Sequence, residues 1–95
     1  MSELAAHAAI ETVARHSYGR LVAYLAARSG DVAGAEDALS EAFGAALQRW
    51  PADGVPEKPE AWLLHAARHR LTDAARHAQV QKKNEPLLQL AGEAE

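Results

Sequence analysis

Five side chains between positions 65 and 76 have the types and the spacing to hold an anion. His65, Arg68, His69, Thr72 and Arg76 stand at i, i+3, i+4, i+7 and i+11, which puts them on one face of a helix. Arginine pairs with phosphate through two parallel N–H groups and stacks on bases, while histidine and threonine add hydrogen bonds to phosphates or base edges. Trp62, one turn earlier, reads equally as an aromatic that stacks on an unpaired base and as a core residue. The plain alternative for the whole set is a solvated helix face.

The same segment holds His65, His69, Asp73 and His77 at successive i+4 steps. Two imidazoles at i, i+4 can share one metal ion. The four positions drift by more than about a hundred degrees around a helix, however, so they do not converge on a single ion. No glutamate follows His65, as a metalloprotease helix requires, and no metal or cofactor is expected. Three acids, Glu36, Asp37 and Glu41, cluster earlier in the chain, where carboxylates on one helix more often form a docking face than an acid–base pair. There is no glycine-rich phosphate loop and no nucleophile elbow, so an enzyme is not expected.

Three helices are needed to position these groups. Ile10, Val13, Ala14, Leu21, Val22, Leu25 and Ala26 recur at helical spacing, with Tyr18 bridging the gap. Ser29-Gly30-Asp31 then ends one helix and starts the next, glycine suiting the position after a helix and aspartate the N-cap. Val32, Ala35, Leu39, Ala42, Phe43, Ala46, Leu47 and Trp50 form the inward stripe of the second helix. Positions 51–59 hold three of the four prolines and predict a loop, with Pro59 as the first residue of a third helix and Glu60 in its first turn. That helix is expected to run to about Gln81, with Leu64, Ala67, Leu71, Ala74, Ala75 and Ala78 inward. Asn84-Glu85-Pro86 predicts its end, and residues 86–90 allow one further short turn.

Length and composition bound the rest. Ninety-five residues make one domain, and much of the 48% hydrophobic content is alanine, with five aromatics and one methionine beside it. Alanine favours helices and buries little area, so the expectation is an all-α bundle with a thin, closely packed core. The absence of cysteine excludes a disulfide framework and a thiolate metal site and suits a reducing cytosol. Met1 to Ile10 does not read as a signal peptide, and no apolar run approaches the length of a membrane span. A cytoplasmic location follows as the expectation.

The formal net charge of -3 argues at first against a nucleic-acid binder. Its distribution argues otherwise. Residues 31–60 carry seven acids against Arg49 and Lys58, whereas residues 62–84 carry Arg68, Arg70, Arg76, Lys82 and Lys83 against Asp73 alone. An acidic segment followed by a basic one suggests two surfaces with two partners.

In that order the segments resemble a known family. The run AEDALSEAF over 35–43, followed by PEAWLLHAARHRLTDAAR over 59–76, looks like region 2 of the bacterial extracytoplasmic-function sigma factors, and the resemblance covers about residues 8–83. The alanine-rich wording, with Arg-Trp-Pro before the loop and Asn-Glu-Pro-Leu-Leu after the third helix, is similar to the subgroup that carries a helical-repeat extension at the C-terminus. The resemblance implies that the second helix docks on the clamp coiled coil of core RNA polymerase, which makes Glu36, Asp37, Ser40 and Glu41 candidate polymerase contacts, with Phe43 supporting the bundle. It implies further that the loop and third helix hold the non-template strand of the promoter -10 element. That implicates Lys58 with the rest of 51–58, and Trp62, His65, Arg68, His69, Thr72 and Arg76. Ser40 stands where the family usually has Gln, and His69 where it usually has Asn, so polymerase affinity and promoter preference do not carry over at those positions.

The expectation is therefore a sigma region 2 module over residues 1–84, with 85–95 a linker or tail toward a missing C-terminal part. The alternative is a sigma-like helical interaction or oligomerisation module without productive DNA binding.

Overall fold

The computed structural model describes the backbone of residues 3–94 and the side chains of residues 3–80. Three helices follow in order, α1 (Glu3–Ser29), α2 (Val32–Asp53) and α3 (Pro59–Ala94), with no strand among the described residues. The expected all-α three-helix bundle is what the chain forms.

The turn between α1 and α2 is built as its residue types predict. Gly30 (φ 72°) donates its N–H to the Ala26 carbonyl at 2.8 Å and closes α1. Asp31 is the N-cap of α2, its Oδ1 accepting from the Gly34 N–H at 3.0 Å. A Cβ at Gly34 would crowd that carboxylate, which would have to shift to accommodate it.

The end of α2 corrects the sequence reading. The helix does not stop at Trp50 but continues through Pro51 to Asp53. Proline has a helix-compatible φ, but it forfeits the bond to the carbonyl four residues back and its ring crowds that carbonyl. That residue, Leu47, is 45% exposed and lies on the solvent side, where its carbonyl can turn toward water. The stop comes at Gly54 instead, whose φ of 94° only glycine adopts readily and whose N–H bonds the Trp50 carbonyl at 2.9 Å. The loop shrinks to residues 54–58. The Lys58 carbonyl accepts from the Trp62 N–H at 3.1 Å, so α3 begins at Pro59 as expected.

The core is as thin as the composition implies. Ala6, Ile10, Val13, Leu21 and Leu25 of α1 meet Ala35, Ala38, Leu39, Ala42, Ala46 and Trp50 of α2, and α3 adds Leu63 and Ala67. Burial of each large side chain contributes about 1.5–3 kcal/mol, and the alanines let the helix axes approach. Several expected core positions are displaced by part of a turn. Ser17 is buried where Tyr18, 37% exposed, was expected to bridge, and Val32 (59%) and Leu47 (45%) face outward. On α3, Leu63 is the buried residue, and Leu64 and Leu71 are only half-buried.

Ala74, Ala75 and Ala78 are exposed, and topology supplies the reason. α3 runs back along α2, so these alanines are level with Ser29, Asp31 and Gly34, where α1 and α2 turn, and little remains to cover them. The expected end of α3 is also corrected. The backbone stays helical through Pro86 to Ala94, again at the cost of one donor. The side chains of the 86–90 segment, and Glu95, lie outside the described residues.

Candidate functional site

The two groups of chemically capable residues lie on α2 and on the first half of α3, and each is held out by the buried stripe beneath it. On α2, Ala35, Ala38, Leu39 and Ala42 face the core, which leaves Glu36, Asp37, Ser40 and Glu41 exposed. By helical geometry Asp37 and Ser40 lie near the centre of the outward face, Glu36 on the flank toward α1 and Glu41 on the flank toward α3. The structure thus brings all four to one surface.

Glu41 has an internal partner that the sequence reading missed. Its Oε2 is 3.2 Å from Nε of Arg70 on α3, and Arg70 Nη1 also donates to the Ala66 carbonyl at 3.0 Å. Arg70 is therefore turned away from the cationic face and ties α3 to α2. The only available signal was charge sign on antiparallel helices, which does not specify register. A second pair, Arg20 Nη2 to Glu60 Oε2 at 2.9 Å, links the first turn of α3 to α1 at the surface.

On α3, Leu63 and Ala67 point inward, so His65, Arg68, His69, Thr72 and Arg76 project outward. They surround one shallow depression together with Asp73. The His65 and His69 rings are 5.8 Å apart, and His69 Nδ1 stands 4.0 Å from Asp73 Oδ2. Among the described residues no group of three His, Asp or Glu side chains is placed to hold a metal ion. The five side chains expected to share one face do so.

Trp62 answers both of its alternative readings. Its ring packs edge-on against the fully buried Trp50, with centroids 5.4 Å apart and planes at 72°, yet Trp62 itself is only half-buried. Trp50 fixes the orientation of the ring and leaves part of it facing the groove between α2 and α3. Lys58 is the one candidate not brought into the cluster. It is exposed at the start of α3 beside Pro59, Glu60 and Ala61, a turn before Trp62.

The family model for Sigma-70 region 2 matches residues 13–80. The chain belongs to the Sigma-70 region 2 family. No curated protein and no solved structure matches it. The matched segment takes in all of α2, most of the buried core and every candidate residue named above. The domain's role is that of a sigma factor region 2, which binds core RNA polymerase and engages and melts promoter -10 DNA in transcription initiation. The family is one of initiation factors and not of catalysts. No helix among the described residues is long and apolar enough to cross a membrane.

Proposed function

We infer that this region 2 domain is of the extracytoplasmic-function type, acts in the cytoplasm, and divides its two contacts between two helices. The outward face of α2, through Glu36, Asp37, Ser40 and Glu41, docks on the clamp coiled coil of core RNA polymerase. The loop and α3, through Lys58, Trp62, His65, Arg68, His69, Thr72 and Arg76, hold the non-template strand of the -10 element. Residues 1–84 make up the module, and 85–95 lead toward a further C-terminal part. The observation that carries this reading is that one packed unit exposes carboxylates on α2 and, on α3, guanidinium groups of Arg68 and Arg76 with no carboxylate partner among the described residues. An acidic face suits a basic protein surface, and a cationic face beside a half-exposed tryptophan suits a single strand.

The test is a crossed pair of variants. Asp37→Ala is expected to weaken binding to core polymerase by about tenfold or more. It should leave the single-strand affinity of the assembled complex nearly unchanged. The double variant Arg68→Ala/Arg76→Ala is expected to do the reverse and to lower the slope of log K against log salt by about 1.4, or 0.7 for each phosphate contact. Full polymerase affinity in Asp37→Ala would defeat the docking assignment. An unchanged salt slope in the double variant would take the arginines off the DNA surface.

A further inference from the structure

The seven arginines of the chain divide sharply by what they already touch. Arg15 pairs with Glu11, Arg20 with Glu60 and Arg70 with Glu41, and Arg28 lies over the Tyr24 ring at 4.8 Å. Among the described residues, Arg49, Arg68 and Arg76 have no carboxylate or ring partner. Arg68 and Arg76 are on the outward face of α3. Arg49 is on a different element, in the C-terminal half of α2.

Its position is nevertheless part of the same surface. Arg49 and Gln48 form the α2 wall of a groove whose α3 wall is Trp62, His65 and His69, closed at one end by the Arg70 bridge. His65, His69 and Asp73 line both this groove and the depression that holds Arg68 and Arg76. The two hollows are therefore continuous across the two imidazoles. Arg49 is exposed while Ala46 and Trp50 on either side of it are buried, so the helix register that anchors α2 also turns this guanidinium toward α3.

We propose that Arg49 is a phosphate-binding residue for the single strand held by α3, so that the strand's backbone leaves the outward face and enters the groove between α2 and α3. A guanidinium with no internal partner offers a planar pair of N–H donors, the geometry that phosphate takes up best. The half-exposed ring of Trp62, fixed by Trp50, supplies a face for the adjoining base, and His65, His69 and Gln48 supply hydrogen bonds along the way. Asp73, beside His69, repels a phosphate at its end of the groove and so favours the Arg49 end. The inference rests on the reading that α3 binds DNA, and it adds a contact from α2 and a path for the strand.

The experiment uses the full chain assembled with core polymerase, core alone as baseline, and a labelled single-stranded oligodeoxynucleotide of random sequence, titrated across a salt series. Arg49→Ala is expected to lower the affinity by about tenfold. It should also reduce the salt slope by about 0.7, the value for one contact to a single strand. Arg49→Lys should keep the slope and lose part of the affinity, because it retains charge without the fork. Binding of core polymerase by both variants should be that of the parent. If Arg49→Ala changes nothing while Arg68→Ala/Arg76→Ala still weakens binding, the groove contact is wrong and the reading of α3 stands. If the double variant is also without effect, the reading of α3 falls and takes the proposal with it. Loss of polymerase binding in Arg49→Ala would place the residue on the docking surface and overturn the proposal.

Discussion

α2 and α3 carry the two proposed contact surfaces, and they are held in very different ways. α2 packs against α1 on one flank and against the first turns of α3 on the other. It buries Ala35, Ala38, Leu39, Ala42, Ala46 and Trp50, is capped by Asp31 and is closed by Gly54. α3 buries only Leu63 and Ala67, both in its first three turns, and its described residues beyond Leu71 are exposed. A helix gripped on both sides presents a fixed outward face, which suits docking on one protein surface. One anchored near a single end leaves a long exposed side, which suits a strand laid along it. The difference also assigns the energetic cost of substitution. Stability resides in α2 and its contacts with α1 and with the first turns of α3, and the exposed α3 face can vary with little effect on the fold.

The substitution with the largest expected effect tests that assignment directly. Leu39 is fully buried where α2 meets the other helices. Leu39→Ala should lower unfolding stability by about 2–5 kcal/mol, the range for a leucine truncated in a packed core. Ala75→Ser, on the exposed stretch of α3, should stay within about 0.5 kcal/mol. Denaturant titration of both variants reads the contrast. Comparable losses would mean that α3 is supported along its length and that the asymmetry is wrong.

A smaller effect is expected at the start of α2. Asp31 satisfies the Gly34 N–H, one of the donors that a helix leaves open at its first turn. Asp31→Ala should cost about 1 kcal/mol, and Asp31→Ser should recover most of it. The check is thermal unfolding of the two variants side by side. If alanine is tolerated without loss, the cap is not what fixes the entry of α2, and its outward face is less rigidly set than the comparison holds.

How much of this was legible in the sequence depended on whether local chemistry or register decided the matter. The Ser29-Gly30-Asp31 turn, Pro59 at the head of α3 and the shared face of His65, Arg68, His69, Thr72 and Arg76 follow from residue type and helical spacing, and the chain forms them. Pro51 and Pro86 misled because a single proline forfeits one bond, and a helix can carry that loss until a glycine such as Gly54 turns the backbone. The shift from Leu64 to Leu63, and from Tyr18 to Ser17, reflects an alanine-rich stripe. When neighbouring positions are small on several sides, the apolar pattern does not define one inward direction, and packing against the other helices sets it. Arg70 and Arg49 were missed for a related reason. Each belongs to the site only through the antiparallel pairing of α2 with α3, and no spacing along one segment reveals which residues face each other across that pairing.

The Glu41–Arg70 bridge joins the two surfaces and gives the subtlest test of their independence. Both partners are accessible, with side chains 65% and 34% exposed, so water and salt screen the pair. A double-mutant cycle with Glu41→Ala and Arg70→Ala, read by denaturant titration, should give a coupling of about 0.2–1 kcal/mol that shrinks as salt is raised. Arg70 keeps its bond to the Ala66 carbonyl when Glu41 is removed, which limits the damage further. A weak bridge is what the proposed docking requires, because a carboxylate that contacts polymerase must exchange Arg70 for a partner outside the chain at little cost. A salt-insensitive coupling above about 3 kcal/mol would belong to a desolvated structural pair. Glu41 would then be part of the joint between α2 and α3, and the docking face would reduce to Glu36, Asp37 and Ser40.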